Sequence, residues 1–545
     1  MSSSSSAALH SSIGTRRQAP TAWSPYYWRM RSRSGWTLVA TILGSGMTFI
    51  DATVVNVALP ALQADLHATI IDVQWVIEIY ALFLGALILV GGALGDQLGR
   101  KRVFLSGILL FTAASALCGV AGTPSVLVAG RALQGIGAAF LVPGSLAIIS
   151  ATFSDAERGR AIGTWSGFSA ITAAIGPVAG GWLIEHVSWR AVFYLNVPFA
   201  AVVLFLSVRY MDESHDPSRT SQLDWTGAAL AVFGLGGVVF GLLEWPALGP
   251  AHPLVYGTLA TGSVLLLLLF VVEGRVQNPM MPLHLFDSRT FALANLLTFL
   301  LYASLGVVFF LVPLNLIQVQ HYSATAAGAA FLPFPVILFV LSRWSGGLVA
   351  KIGSRIPLTV GPAVAAVGFA LYARAGVGGP YWTSFFPAVI VLGLGMAVTV
   401  APLTTTVMGA VDTTHAGVAS GVNNAVARVA GLLAIAVFGV MLVKTFNAGV
   451  GPDLDRIALP AEARVAVANE LPKMAGADLR AVGGITDAQR AQVRSAIDTE
   501  FVSAFRLVML GTAVLALAAA GMGAAIRDQR PLSAGPSIVH SPETT

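Results

Sequence analysis

Charge is scarce in this chain. Asp, Glu, Lys and Arg supply 10% of its 545 residues, against about a quarter in soluble domains. That is too little to cover the several water-soluble domains its length would otherwise suggest. Apolar residues supply 56%, and lipid is the solvent they suit. Cysteine is scarcer still. Cys118 stands alone in an apolar segment, which excludes a disulfide framework or a cysteine metal site and leaves a small buried residue. The nine histidines show no ligand spacing; His67, His186 and His321 fall in short connections. With no P-loop and no triad pattern, the sequence offers no metal or nucleophile constellation for an intramembrane enzyme, nor a soluble signalling domain for a sensor.

What is abundant is long apolar runs. A helix crossing the hydrocarbon needs about 20 apolar residues. Candidate spans lie near 36–59, 74–95, 103–121, 124–151, 160–183, 190–209, 225–245 and 253–272. Six more lie near 290–318, 325–349, 356–374, 381–410, 417–443 and 502–526, making fourteen. The expected fold is an all-α integral membrane protein. The 57 glycines suit close helix packing in lipid.

Charge placement gives an orientation. The Ser-rich segment 1–35, with Arg16, Arg17, Arg29, Arg31 and Arg33, reads as a disordered basic cytoplasmic tail rather than a signal peptide. On the same side fall Arg100, Lys101, Arg102, Arg158, Arg160, Arg209, Arg219, Arg275, Arg289, Lys351, Arg355, Arg527 and Arg530. Connections 60–73, 246–252 and 319–324 carry no Lys or Arg. Both termini, including tail 527–545, are therefore expected in the cytoplasm of a bacterial-type plasma membrane. The net charge of +5 is a topology signal rather than a nucleic-acid one. Segment 444–501 mixes both signs and is expected as an exoplasmic loop, with AQRAQVRSAIDTEFVSAF a helix leading into the last span.

Four stretches carry chemistry. GGALGDQLGRKR (91–102) is a tight turn in which Gly92, Gly95 and Gly99 allow close approach, and Arg100, Lys101 and Arg102 anchor topology. Asp96 is expected as a latch for a cytoplasmic gate. A degenerate echo, GGLVAKIGSR (346–355), suggests two six-span repeats, 36–209 and 290–526, with spans in 210–289 inserted between them. LVAGRALQGIGAAF (127–140) places Arg131 well inside the bilayer, where a lone cation needs a polar partner. Gln134 shares its face. GTWSGFSAITAAIGPVAGG (163–181) holds the small-residue pairs Gly163/Gly167 and Gly176/Gly180, with Pro177 to bend the helix and Gly181 after them. FIDATVVNVALP (49–60) buries Asp51 in an apolar run.

Together these motifs resemble the signatures of the major facilitator superfamily, in its fourteen-helix drug:proton antiporter subfamily. SWRAVFYLNVPFA (188–200) and ASGVNNAVARVAG (419–431) are also similar to it. The resemblance covers roughly 36–526. It implies two six-helix bundles plus two inserted helices (225–272), alternating access and proton-driven export, with the Gly-Pro motif of the fifth helix marking antiporters. No cofactor is expected beyond the proton gradient. The expected partners are an amphipathic small molecule, protons and the lipid bilayer, with no nucleic acid, and the protein is expected as a monomer.

Depth then ties the charges together. At 1.5 Å per residue, Asp51 lies about 13 Å below Pro60 and Arg131 about 10 Å below the start of its own span. Glu78 lies about 6 Å down. Asp51 is expected to bind the transported proton, Arg131 to tune it, and Glu78 to assist. Burial raises a carboxyl pKa and a nearby cation lowers it, so movement of the pair would switch proton affinity. A fixed structural ion pair is the competing reading. The second bundle has no Asp or Glu from Arg289 to Val411. Its expected cavity residues are Asn295, Tyr302, Asn315, Phe334, Asn423, Asn424 and Arg428, joined by Gln134 and Trp165 from the first. An exporter dedicated to one endogenous metabolite, antibiotic or lipid would use the same scaffold.

Overall fold

Without water to satisfy it, a backbone inside lipid must bond to itself, and helices do so residue by residue. The computed structural model describes residues 25–215, 224–276, 279–411 and 416–527. Among them are fourteen helices long and apolar enough to cross a bilayer, as the hydropathic runs predict. They are α1 (Arg33–Asp65), α2 (Ile70–Leu98), α3 (Arg100–Gly119), α4 (Pro124–Thr152), α5 (Arg160–His186), α6 (Ala191–Tyr210) and α7 (Trp225–Leu248). Then follow α8 (Pro253–Glu273), α9 (Arg289–Val319), α10 (Ala324–Leu341), α11 (Arg355–Tyr372), α12 (Phe386–Gly409), α13 (Val418–Asp455) and α14 (Asp487–Ala525).

Helix starts are written locally. Thr69 and Asp72 form a capping box for α2, and Thr486 and Gln489 one for α14. Thr123 caps α4 ahead of Pro124. Helical backbone in fact begins at Pro25, so the last part of the tail expected to be disordered is helical. The rest of that tail, Arg219, and the end of the C-terminal tail with Arg530 lie outside the described residues. Prolines break the pattern in the second half. The chain turns at Phe331–Leu332 before Pro333, so the expected continuous span 325–349 is interrupted, and α9 ends in a wider π turn, Asn315–Val319, just after Pro313.

Within α1–α6, α4 lies against α2 and α3, and α1 against α5 and α6. Within α9–α14, α11 lies against α12 and α14, and α9 against α13 and α14. Helices α7 and α8 pair with each other, and α7 also touches both α2 and α13. Leu235, Val239 and Leu243 pack with Leu82 of α2 and with Leu432 and Ala436 of α13. Two adjacent residues add polar contacts: Glu244 accepts from Trp75 Nε1 of α2 at 3.3 Å, and Lys444 of α13 sits 4.6 Å above the Trp245 ring.

An even number of spans puts both ends of the chain on one face, here called the tail side; the opposite is the cap side. The loop expected over 444–501 is shorter than that, because α13 runs on to Asp455 and α14 starts at Asp487. Between them a short helix, Ala461–Glu470, and two 3-10 turns form a cap. Its mixed charges pair locally: Arg456 with Asp453, Arg464 with Asp455, Lys473 with Glu470, Arg480 with Asp478. Arg494 of α14 donates to the Ala475 and Ala477 carbonyls. Gln63 of α1 donates to the Lys473 carbonyl at 3.2 Å and accepts from Gln318 of α9 at 2.7 Å, so the cap joins both bundles. Arg190, also on the cap side, is held by Asp65 at 2.7 Å.

Candidate functional site

The deepest polar cluster lies inside the first bundle. Asp51 of α1 is 3% exposed and Arg131 of α4 is 1% exposed. Arg131 Nη1 donates to Asp51 Oδ2 at 2.5 Å and to Gln134 Oε1 at 2.8 Å, while Gln134 Nε2 donates to Asp51 Oδ1 at 2.7 Å. Arg131 Nε reaches the Val76 carbonyl of α2 at 3.1 Å, and its guanidinium covers the Tyr80 ring at 4.1 Å. Gln134 also donates to Ser115 of α3 at 3.4 Å, which accepts from Asn196 of α6 at 2.9 Å. Five helices thus converge on one carboxylate. Close backbone approach makes room for this: a Cβ at Gly135 would meet the Tyr80 carbonyl, and one at Gly137 the Phe111 backbone.

Glu78 is the contrast. It is fully buried on α2, and neither carboxyl oxygen has a hydrogen-bond partner among the described residues. The neighbouring Gln74 leaves its amide nitrogen equally unmatched. An ionised carboxylate in such a place costs far more than a neutral acid. The site therefore holds one acid locked to a cation and one held by nothing.

The tail-side turn is pinned by side chains from two places. Arg100 Nε and Nη2 donate to Asp96 Oδ1 at 2.9 and 2.8 Å. Glu213, just past α6, accepts from the Lys101 and Arg102 amides at 3.0 and 3.2 Å, and Lys101 Nζ donates to the Met211 carbonyl at 2.6 Å. An anion at the first turn of α3 suits the exposed N–H groups there. Gly99 has φ of 109°, and a Cβ would meet the Glu213 carboxyl. Gly92 faces Pro143 of α4, and Gly95 faces Arg100.

The glycines of α5 divide by height. Gly176 and Gly180 lie on Thr53 and Val54 of α1. On the other side, Gly181 faces the Ala324 backbone of α10 and the Pro177 carbonyl faces Gly328. Glu185 clasps Thr325, accepting from its amide and its hydroxyl at 2.7 Å each. Gly163 and Gly167, expected as a second packing pair, instead have open space around them. The two bundles therefore touch on the cap side of this seam and leave a cleft on its tail side.

Most residues expected in a substrate cavity do not face that cleft. Gln134 is part of the Asp51 cluster. Trp165 is 8% exposed and donates to Ser45 at 3.1 Å, so it fixes α5 on α1. Asn423 donates to Asn295 at 3.1 Å and to Thr298 at 2.7 Å, a buried clamp between α13 and α9. Asn315 is buried in the π turn and accepts from Gln320 at 3.1 Å. Phe334 stands edge-on to Phe309, and Tyr302 packs on the same apolar cluster. In lipid a polar residue can serve helix packing as readily as ligand contact. Asn424 is exposed and Arg428 half-buried, both on α13. Tyr80, Ser115 and Glu213 were not expected. Tyr80 had only its hydroxyl in an apolar run as a signal, and Glu213 only its place just past a span.

Comparison with known proteins agrees with this architecture. The family model described as Major Facilitator Superfamily matches residues 41–435. The chain is 33% identical over 491 residues to "Multidrug resistance protein Stp" of Mycobacterium tuberculosis, covering 88% of this chain and 90% of that one. It is 30% identical to the "Tetracenomycin C resistance and export protein" of Streptomyces glaucescens, covering 95% and 96%. The "Puromycin resistance protein pur8" of Streptomyces alboniger is 35% identical, covering 76% and 82%. Among solved structures, a bacterial homolog of the human lysosomal transporter Spinster, inward-facing and unoccupied, has a TM-score of 0.60 at 17% identity, covering 90% and 97%. That likeness is one of fold. The chain belongs to the Major Facilitator Superfamily, as a fourteen-helix membrane transporter related to drug exporters and not an enzyme.

Proposed function

We propose that this protein is a proton-coupled antiporter that exports amphipathic small molecules by alternating access, with both termini in the cytoplasm. The observation that carries it is the Asp51–Arg131 pair, buried at the meeting of five helices with Gln134 as its third member. Replacing a buried ion pair with apolar residues is often neutral or stabilising, so stability alone is a weak reason for this one. The names of the relatives supply the cargo class: drugs and antibiotics.

The chemistry follows from what holds Asp51. While Arg131 and Gln134 bond it, the carboxylate is satisfied without a proton. When a proton arrives, the charge that holds Arg131 is gone, and the guanidinium must find other acceptors or draw away. Proton binding and helix position are thereby linked. Glu78, without any partner, is suited to carry a proton at the α2–α13 seam. With the tail side in the cytoplasm, as the Lys and Arg of the tail-side loops favour, the cleft beside Gly163 and Gly167 receives cargo from within the cell. Rocking about the α5–α10 and α2–α13 seams would then expose it on the cap side.

The test is proton movement in inverted membrane vesicles or proteoliposomes holding the full chain, challenged with a panel of amphipathic compounds. Compound-dependent proton release is expected in wild type and absent in Asp51→Asn. Undiminished transport against a gradient in that variant would overturn the coupling. Because the relatives include proteins named for one antibiotic each, the panel also measures breadth.

A further inference from the structure

We propose that Arg428 of α13, with the Tyr80 hydroxyl of the facing helix α2 as a second donor, is a recognition point for the acidic group of an amphipathic organic anion. This deepens the reading above, since it rests on the cleft being the cargo path.

Arg428 lies midway along α13 at the level of Gly85 of α2, where an added Cβ would stand 3.5 Å from Arg428 Cβ. Two and one turns toward the tail side on the same face come Ser420 and Asn424. Asn424 is exposed and its amide donates only to the Ser420 carbonyl at 3.0 Å. The face therefore runs from open space at Asn424 up to Arg428. A ligand entering from the tail side meets a neutral amide first and the cation next.

The cation lacks an anion. Among the described residues Arg428 has neither an ion-pair partner nor a hydrogen bond. Of the acids on the facing helix, Glu78 is seven residues from Gly85, about 10 Å along α2. The second bundle has no acid from Arg289 to Val411, and the acids of α13 itself, Asp453 and Asp455, lie at its cap-side end. At 1.5 Å per residue they are about 37 Å away along the helix. Asp51 is taken by Arg131 and Gln134. A guanidinium cannot shed its proton to relieve partial loss of water, as a lysine can, so a half-buried one without a partner favours an anionic ligand.

Tyr80 adds a neutral donor. Its side chain is 4% exposed and its hydroxyl has no hydrogen-bond partner among the described residues. One ring face is covered by Arg131, and Tyr80 stands five residues before Gly85 on the same helix. A carboxylate or phenolate set between them gains a charge-assisted bond from Arg428 and relieves the orphaned hydroxyl. A cationic cargo would meet the guanidinium of Arg428 instead. The surrounding apolar α2 and α13 faces then hold the rest of the amphiphile.

The experiment uses detergent-purified full chain and three fluorescent probes of one skeleton: 1-pyrenebutyrate, its methyl ester and 1-pyrenebutylamine. Affinities are read by fluorescence anisotropy without any gradient. Wild type is expected to bind the acid roughly tenfold more tightly than the ester, the gain of one charge-assisted hydrogen bond, and the amine weakest. Arg428→Gln should bring the acid down to the level of the ester, and retained binding of the ester shows that the variant is folded. Arg428→Lys should keep part of the preference, and Tyr80→Phe should reduce it by a few-fold. Equal binding of acid and ester by wild type, or a preference that survives Arg428→Gln, overturns the proposal. Should Arg428→Gln not fold, the decision passes to Arg428→Lys and Tyr80→Phe, and a preference unchanged in both overturns it. Acid preference without proton flux would defeat only the antiport reading; flux with neutral or cationic probes and no acid preference would defeat only this one.

Discussion

Asp51 and Arg131, eighty positions apart, form an ion pair of 2.5 Å with 1% and 2% of their side chains exposed. No other ion pair in the described residues is so completely withdrawn from solvent. Both a structural and a proton-coupling role are open to such a pair, and mutants separate them.

Asp51→Asn keeps the shape and removes the charge. It leaves Arg131 buried without a counter-ion, a situation that costs about 3–5 kcal/mol. The expected result is a lower melting temperature in detergent together with loss of proton-coupled flux. Asp51→Asn with Arg131→Gln should recover much of the stability, because no lone charge remains, but none of the coupling. Coupled flux in the double variant would reduce the pair to a structural role.

Glu78→Gln should behave differently. Neither oxygen of Glu78 has a partner to lose, so the melting temperature should stay within about 2–4 °C of wild type. The pH dependence of transport, by contrast, should flatten, since Gln cannot take up or release a proton. A destabilisation as large as that of Asp51→Asn would mean that Glu78 has an ionic partner after all.

The glycines of α5 give a positional test of alternating access. Gly181→Leu and Gly328→Leu insert side chains where backbones meet. They should part the cap-side seam, read as a longer distance between spin labels on the cap-side ends of α5 and α10. Gly163→Leu and Gly167→Leu enter open space and should leave that distance unchanged. Equal shifts from both pairs would contradict the cleft.

At the tail-side turn, Glu213→Ala removes the acceptor that caps α3. The expected cost is about 1 kcal/mol. Amide exchange at Lys101 and Arg102 should therefore speed up by roughly fivefold. Unaltered exchange would show that Glu213 does not hold the turn.

Much of this was legible because hydropathy reports the solvent around a segment. Lipid writes itself into every run of 20 or so residues, so the fourteen spans could be counted, and a helix's fixed rise placed Asp51 and Arg131 at one depth. What hydropathy does not report is the partner. Gln134, Asn295 and Asn423 looked like cavity residues because they are polar within a span, yet each is spent on a neighbouring helix. Gly163 and Gly167 match the spacing of Gly176 and Gly180, but only the latter pair meets another helix, because it lies against α1 whereas the former has open space around it. Segment 444–501 looked like a loop from its charges. Several of those charges pair locally, at the end of α13 and in the short helix and turns of the cap, something no local count of Lys and Arg can reveal.

The inserted helix α7 has a mechanical consequence. Glu244 grips the first bundle through Trp75, and its chain neighbour Trp245 grips the second through Lys444. Both grips sit near the cap-side end of α7, which stops at Leu248. Splaying the bundles at the tail side leaves both intact, whereas splaying them at the cap side must break one. In the rocking proposed above, the α2–α13 seam would serve as the hinge, and the opposite seam, between α5 and α10, would be the one that swings.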